Sequence, residues 1–272
     1  DKKADVISGD LVITDKPNSE HKVKVFVAKL TKDGKENPAY KCLETVMQEY
    51  VSMAQALKQG KAAEDAVKVR ITKGKLGLND YYTPNGELRS FPQVTANFIN
   101  RVTGEFNPRA EFSLEVYFES IVPEMKDSEE TGRLVVKVIL PLYGGVVVPL
   151  TLIVADPDAV DYISTHYEKG RTGKIWGELV NSTEVIKTVE QGFGKAKEKI
   201  TTKILNELVI TGGEEEQYDP DDEKQSYSTD VIKKAMAERD VMLDNLLKKS
   251  KDGKKTENKT TTSSTTKKDL KW

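Results

Sequence analysis

The sequence predicts a mainly β fold with accessory helices. Its centre is a closed five-stranded barrel with N-terminal strands and a helix packed on it, followed by a C-terminal helix and a disordered tail. Three observations carry that prediction. Short alternations of apolar and polar residues recur through the first 212 positions. One short helical signal falls between late strands, as in a small barrel rather than a layered α/β fold. After Gly212-Gly213 the alternation ends and charge takes over.

The elements follow in order. Leu11–Thr14 and Val23–Lys29 read as strands joined through Asp15-Lys-Pro-Asn. In the second, Val23, Val25 and Val27 alternate with Lys22 and Lys24, and Phe26 is the exception on the polar side. Asn37-Pro38 opens a helix, because Asn caps well and Pro fits the first helical position. Its stripe of Tyr40, Leu43, Val46, Met47, Tyr50, Val51, Ala54 and Leu57 runs at spacings of three and four to Gly60. That stripe is core. Cys42 lies just off it and has no neighbouring His to activate it, so it reads as structural.

Two strands come next, near Val67–Leu78 and Arg89–Val102, joined by the turn Thr83-Pro-Asn-Gly. Gly74 and Gly77 mark a bulge or sharp bend. Ala110–Ile121 alternates cleanly, with Phe112, Leu114, Val116 and Phe118 on one face and an acidic face opposite. Pro123–Gly132 reads as a charged loop. Leu134–Leu142 and Val146–Val154 form a hairpin around Tyr143-Gly-Gly, and Pro149 suggests an edge or a bulge. Asp156-Pro157 opens a short helix to about Tyr167. Lys174–Val180 is a strand, and Lys203–Thr211 closes or extends the sheet. This succession matches a barrel of the OB type.

The domain reading is therefore an OB-type domain over 1–212 with a helical insertion at about 38–60. An acidic, mobile linker follows over 213–227, then a helix over 228–249 and a Lys/Ser/Thr-rich disordered tail over 250–272. Trp272 ends the chain as an isolated aromatic.

Composition narrows the classes. The 272 residues are 37% hydrophobic and 32% charged, with a formal net charge of −2. No apolar run spans a bilayer. One cysteine excludes an internal disulfide and argues against a thiolate metal cluster. A reducing, intracellular setting is the expectation. The first residue, Asp1, is not Met, which reads as a trimmed chain.

The charge is segregated. Val67–Phe112 holds seven basic and four acidic residues, net +3, whereas Glu214–Glu223 holds seven acids and no base. Ser250–Trp272 holds seven Lys and three acids, net +4. Segregated charge favours an interaction protein, although charge runs also simply solvate their segments.

The two histidines, His21 and His166, are too few for most metal or acid/base sites. No nucleophile elbow, phosphate-binding Gly loop or zinc spacing occurs, and Gly192-Phe-Gly194 is not a dinucleotide fingerprint. The acidic block lacks the spacing of an EF-hand. The expectation is a non-enzymatic protein with no cofactor and no metal.

What remains is the stretch Val67–Arg109, where cations and rings are interleaved. That is the chemistry of single-strand binding, charge for phosphates and flat faces for bases. The candidates are Lys73, Lys75, Arg89, Arg101 and Arg109 for the backbone, and Tyr81, Tyr82, Phe91 and Trp176 for stacking. Each ring also fits a core. Phe98 shares parity with Val94 and Ala96 and reads as core, so Phe91 is the outward ring. Trp176 shares parity with Lys174 and Glu178 and reads as outward.

From about Val67 to Val180 the sequence resembles the OB-fold single-stranded DNA-binding proteins of bacteriophages and mobile elements. The phrases that carry this are GKLGLNDYY, LRSFPQVTANFINRV, AEFSLEVYFESI, GRLVVKVILPLYGGVVVPL and GKIWGELVN. The stretch covers a little under half of the chain. The resemblance implies sequence-independent protection or organisation of single-stranded DNA in replication or recombination. It also implies replication or recombination proteins as partners, through the acidic linker and C-terminal helix, and allows oligomers. Bacterial relatives often end in an acidic tip with an apolar last residue; here the acidic block is internal and the end, KKDLKW, is basic. The alternatives are a phage structural or assembly protein with no nucleic-acid role, assembling through the helix at 228–249, or a modulator acting through the acidic linker.

Overall fold

A computed structural model describes residues 5–190, 197–222 and 226–256. The Gly192–Gly194 motif, the expected tail beyond residue 256 and Trp272 lie outside the described residues. The chain divides into two compact units, one built on His21–Pro108 with the N-terminal strand up to Ile13, the other on Arg109–Gly253 with Thr14–Glu20.

In the first unit, β1 (Val6–Lys16) pairs with β2 (Ser19–Ala28). Helices α1 (Pro38–Glu49) and α2 (Met53–Lys58) follow, then the hairpin β3 (Val69–Tyr82) and β4 (Leu88–Arg101). The single helix expected here is broken. Tyr50 is extended, and Ser52 restarts the chain with a reciprocal cap to Gln55, which satisfies the free N–H groups of a new first turn.

Within this unit the strands run β1–β2–β4–β3, with β4 parallel to β2 and antiparallel to β3. One sheet face carries Val25, Val27 and Ile99, all at most 3% exposed, against Ala39, Leu43 and Val46 of α1. The alternation of β2 dictates this directly, since period-2 valines deliver one apolar face. Two bulges interrupt the β3–β4 register, around Thr72 and Asn97. They let Ala96 and Ile99, which differ in parity, both be buried at 2% and 1% exposure. The hairpin turn closes at Gly86, at φ 83°, where Gly86 N–H donates to Thr83 O at 2.9 Å.

The second unit is the barrel. Its strands are β5 (Glu111–Lys126), β6 (Glu129–Pro141), β7 (Val147–Val154), β8 (Thr172–Glu190) and β9 (Lys197–Gly213). Helix α3 (Pro157–His166) lies between β7 and β8, capped by Asp156. Pairing runs β5–β6–β7–β9–β8 and returns to β5, with only β7–β9 parallel. A closed ring in that order, with a helix between its third and fourth strands, is the OB-type barrel expected from the sequence. Lys203–Thr211 does lie in the strand that closes it. Pro149 sits in β7 opposite Ile139, away from the registered β7–β9 pair, Ile153 and Val209, so its missing N–H breaks no ladder there.

The barrel interior holds Val116, Phe118, Val136, Val138, Leu152, Val154, Ile175 and Ile210, each at most 2% exposed. Burying a side chain of this kind contributes about 1.5–3 kcal/mol. Phe118 meets Tyr167 edge-on at 5.2 Å, and the Tyr167 hydroxyl donates to Glu214 O at 2.6 Å. Burial pushes the Tyr167 phenol up to about 12. At Gly177, where a bulge brings β8 against β9, an added Cβ would collide with the Val209 carbonyl.

Three expectations change in this unit. The charged loop at 123–132 is mostly strand, turning at Asp127 and Ser128 with φ 51° and 71°. The strands β8 and β9 run together well past the barrel, pairing as far as Glu190 and Lys197. The acidic segment expected to be a mobile linker is tied down at its start. Tyr218 and Thr172 exchange backbone hydrogen bonds at 2.7 and 3.0 Å, and Gln217 bonds the backbone of Glu168 and His166.

Helix α4 (Thr229–Thr256) begins on the barrel's outer side. Ile232 packs with Tyr117, Ile139 and Val147, and Ala235 and Met236 add to the patch. Among the described residues no helix is long and apolar enough to cross a membrane.

Candidate nucleic-acid interface

The β3–β4 register sorts the hairpin into two faces. Lys75 lies opposite Thr95, Gly77 opposite Gln93, Asn79 opposite Phe91 and Tyr81 opposite Arg89. These pairs share one face, because side chains repeat every two residues. Leu76 with Val94, and Gly74 with Ala96, share the other, on which Leu76 and Ala96 are buried. The first face is open. Tyr81 is 44% and Phe91 50% exposed, and their rings stack at 6.2 Å with 25° between planes. Diagonal neighbours on an antiparallel pair make this contact natural for rings.

Charge surrounds the rings. Lys75 is exposed and makes no ion pair among the described residues. Arg89 is held by Glu87 at 2.9 Å. Lys73 lies over the Phe98 ring at 6.0 Å, beside the bulge. Tyr82 points to the opposite face, paired with Leu88, and is half-buried. Phe98 packs on the core of this unit, as expected, although the bulge at Asn97 breaks the parity with Val94 and Ala96 on which that expectation rested.

Arg101 is not on the open face. The bulge at Asn97 shifts the phase of β4, so Arg101 follows Ile99 onto the helix side. There its guanidinium sits 5.0 Å from the Tyr50 ring centre and donates to Glu49 O at 3.3 Å. Grouping Arg101 with Lys75 and Arg89 fails for that reason.

The remaining two candidates belong to the barrel unit. Arg109 pairs with Glu111 at 3.4 Å. Trp176 is 41% exposed and forms a wall of a hollow of about 580 Å³ between β5 and β8. Its ring lies across Gly212, where a Cβ would strike it. The charges around it are mixed and engaged: Lys174 with Glu214 at 3.3 Å, Glu178 with Lys16 at 3.7 Å, and Glu111 with Arg109. On the barrel's β6–β7 side, Ile139 and Val147 are covered by α4.

Strand β2 adds to the open face of the first unit. Lys24 stands level with Thr95, and Thr95 with Lys75, so the three form one row across three strands. Lys22 and Phe26 flank Lys24 on the same side of β2, and Phe26 is 60% exposed. The sequence carried the signal, since Phe26 broke an otherwise valine-and-lysine alternation.

A family model described as YorF matches residues 1–249. The chain belongs to the YorF family. A search of curated proteins returns no match. Among solved structures, this YorF-family chain is similar to a deletion variant of the single-stranded DNA binding protein from Thermus aquaticus. Identity is 15%, the match covers 77% of this chain and 80% of that one, and the TM-score is 0.41. The barrel assignment for the YorF-family chain rests on its own strand order.

Proposed function

We propose that this YorF-family protein binds single-stranded DNA without reading sequence, and that the open face of the β3–β4 hairpin is the contact surface. The observation that carries this is the stacked, half-exposed pair of Tyr81 and Phe91 on one face with Lys75 and Arg89. Two rings offer π-faces to any base, and the cations offset phosphate charge. Lys73 supplements them at the bulge. Tyr82, Arg101, Arg109 and Trp176 support this role less, because each is turned to another face, engaged by a neighbour or set among carboxylates. No catalytic role enters this reading. The setting, on the sequence resemblance alone, is phage or mobile-element DNA replication or recombination.

The test is a fluorescence titration with oligo-dT across a salt series. Three phosphate contacts, from Lys73, Lys75 and Arg89, give a slope of about −2 in log K against log salt for a single strand. Tyrosine quenching with that slope supports the proposal; saturating concentrations at low salt with no quenching and no mobility shift overturn it. The assembly reading keeps one observation in its favour: beyond the docked turns of α4, Val241 and Met242 are 61% and 49% exposed. Size exclusion that shows large self-assembly and no response to DNA would favour it.

A further inference from the structure

We propose that the single-strand site continues from the hairpin onto β2, where Phe26 supplies a third stacking ring and Lys24 a further phosphate contact. This rests on the hairpin reading above and extends it to residues that the sequence candidates omitted.

The argument begins with register. Val23 lies opposite Val94 and Lys24 opposite Thr95 on parallel strands, so even-numbered residues of β2 share the open face with Lys75, Tyr81 and Phe91. The valines on the other side of β2 are at most 3% exposed against the core, which fixes the direction in which Phe26 points. A single exposed aliphatic residue is ordinary on any surface. A phenyl ring that is 60% exposed, two residues beyond Lys24 on the same side of the strand, sets a ring beside a cation as the hairpin does.

Spacing makes the two ring positions parts of one track. Phe26 stands two residues beyond the Lys24 level on β2, and Phe91 stands four residues from that level in the other direction on β4. At about 3.3 Å per residue the two rings are some 20 Å apart along the strands. Stacked nucleotides repeat at about 3.4 Å, so that span holds roughly six, and fewer if the strand is stretched. Lys24 and Lys75 lie between the rings, both exposed and without an ion pair among the described residues.

Charge selects the occupant. Lys22 is paired with Asp10 at 2.8 Å and Arg89 with Glu87, while Lys24 and Lys75 are not in an ion pair among the described residues and outnumber the one further carboxylate on this side of β2, Glu20. The face is left positive, with separated rings instead of one continuous apolar patch. That suits a polyanion with regularly spaced flat groups, and gives a protein partner little to bury.

The experiment measures binding of a dT dodecamer to the full chain carrying Phe26→Ala, Phe91→Ala or Lys24→Gln, with thermal melts of each. Phe26→Ala should weaken binding about fivefold or more at an unchanged melting temperature, since the ring is exposed. Lys24→Gln should reduce the salt slope by about 0.7. If Phe26→Ala melts early, Phe26→Leu keeps apolar bulk without the flat face and should weaken binding equally, while Phe26→Tyr should restore it. Unchanged affinity in Phe26→Ala together with a loss in Phe91→Ala overturns the extension and leaves the hairpin reading standing. Unchanged affinity in both overturns the two together, and is also the result expected of a face built for a protein partner.

Discussion

The double substitution Tyr81→Ala, Phe91→Ala separates a binding surface from a structural one. The two rings stack at 6.2 Å while half exposed, so their mutual contact contributes about 0.5–1.5 kcal/mol to folding. In a unit of this size that moves the melting temperature by roughly 2–8 °C. A base stacked on either ring is worth about 1–3 kcal/mol, which is a factor of roughly 5–150 in affinity per ring. The loss should exceed tenfold for the pair and fall short of the sum of the single losses, because neighbouring rings share one ligand. The assay is a titration of oligo-dT at low salt, followed by anisotropy of a labelled oligonucleotide so that removing Tyr81 does not remove the signal. Near-native melting with affinity within twofold of the unaltered chain would refute the reasoning.

Three further outcomes follow from the same structure. Arg101→Gln should leave the salt slope of binding unchanged, because its guanidinium is committed to Tyr50 and Glu49; a slope reduced by about 0.7 would place it on the DNA. Gly177→Ala should destabilise the barrel by about 1–3 kcal/mol or more in chemical denaturation, since its Cβ meets the Val209 carbonyl; an unchanged midpoint would contradict the close approach. Tyr167, with a folded pKa of about 12 above the ordinary 10.0, favours the neutral phenol. That stabilisation is present below pH 10 and lost as pH climbs through 12, about 1–2 kcal/mol, so the unaltered chain should lose stability over that window more steeply than Tyr167→Phe.

The barrel was legible because its signals are local. Strict alternation at 110–121, the Tyr143-Gly-Gly turn and the Asp156-Pro157 cap each specify one element, and β5 to β7 and α3 appear where those signals lie. The length of β8 and β9 was hidden. Their distal halves are rich in Thr, Lys and Glu, with Val185 and Ile200 exposed, so no buried face imposed a pattern. The anchoring of the acidic segment was hidden too, since it runs through backbone groups of Thr172 and Tyr218 that composition does not report. For the site, alternation marks Phe91 as outward, and it is exposed, because parity holds through β4 as far as Ala96; Phe98 packs on the core beyond the bulge, where parity no longer decides its side. Parity then failed at Arg101, where one extra residue at Asn97 turns the strand over. Phe26 stayed out of the candidate set because only the pairing of β2 with β4 sets it beside the hairpin.

The most direct test of the central claim is photo-crosslinking of the full chain to a halogenated single-stranded oligonucleotide, with the adducts mapped by peptide. The account predicts adducts at Tyr81 and Phe91, competed away by unlabelled oligo-dT and by salt. Adducts confined to residues 109–253, or none where the oligonucleotide is bound, would contradict it.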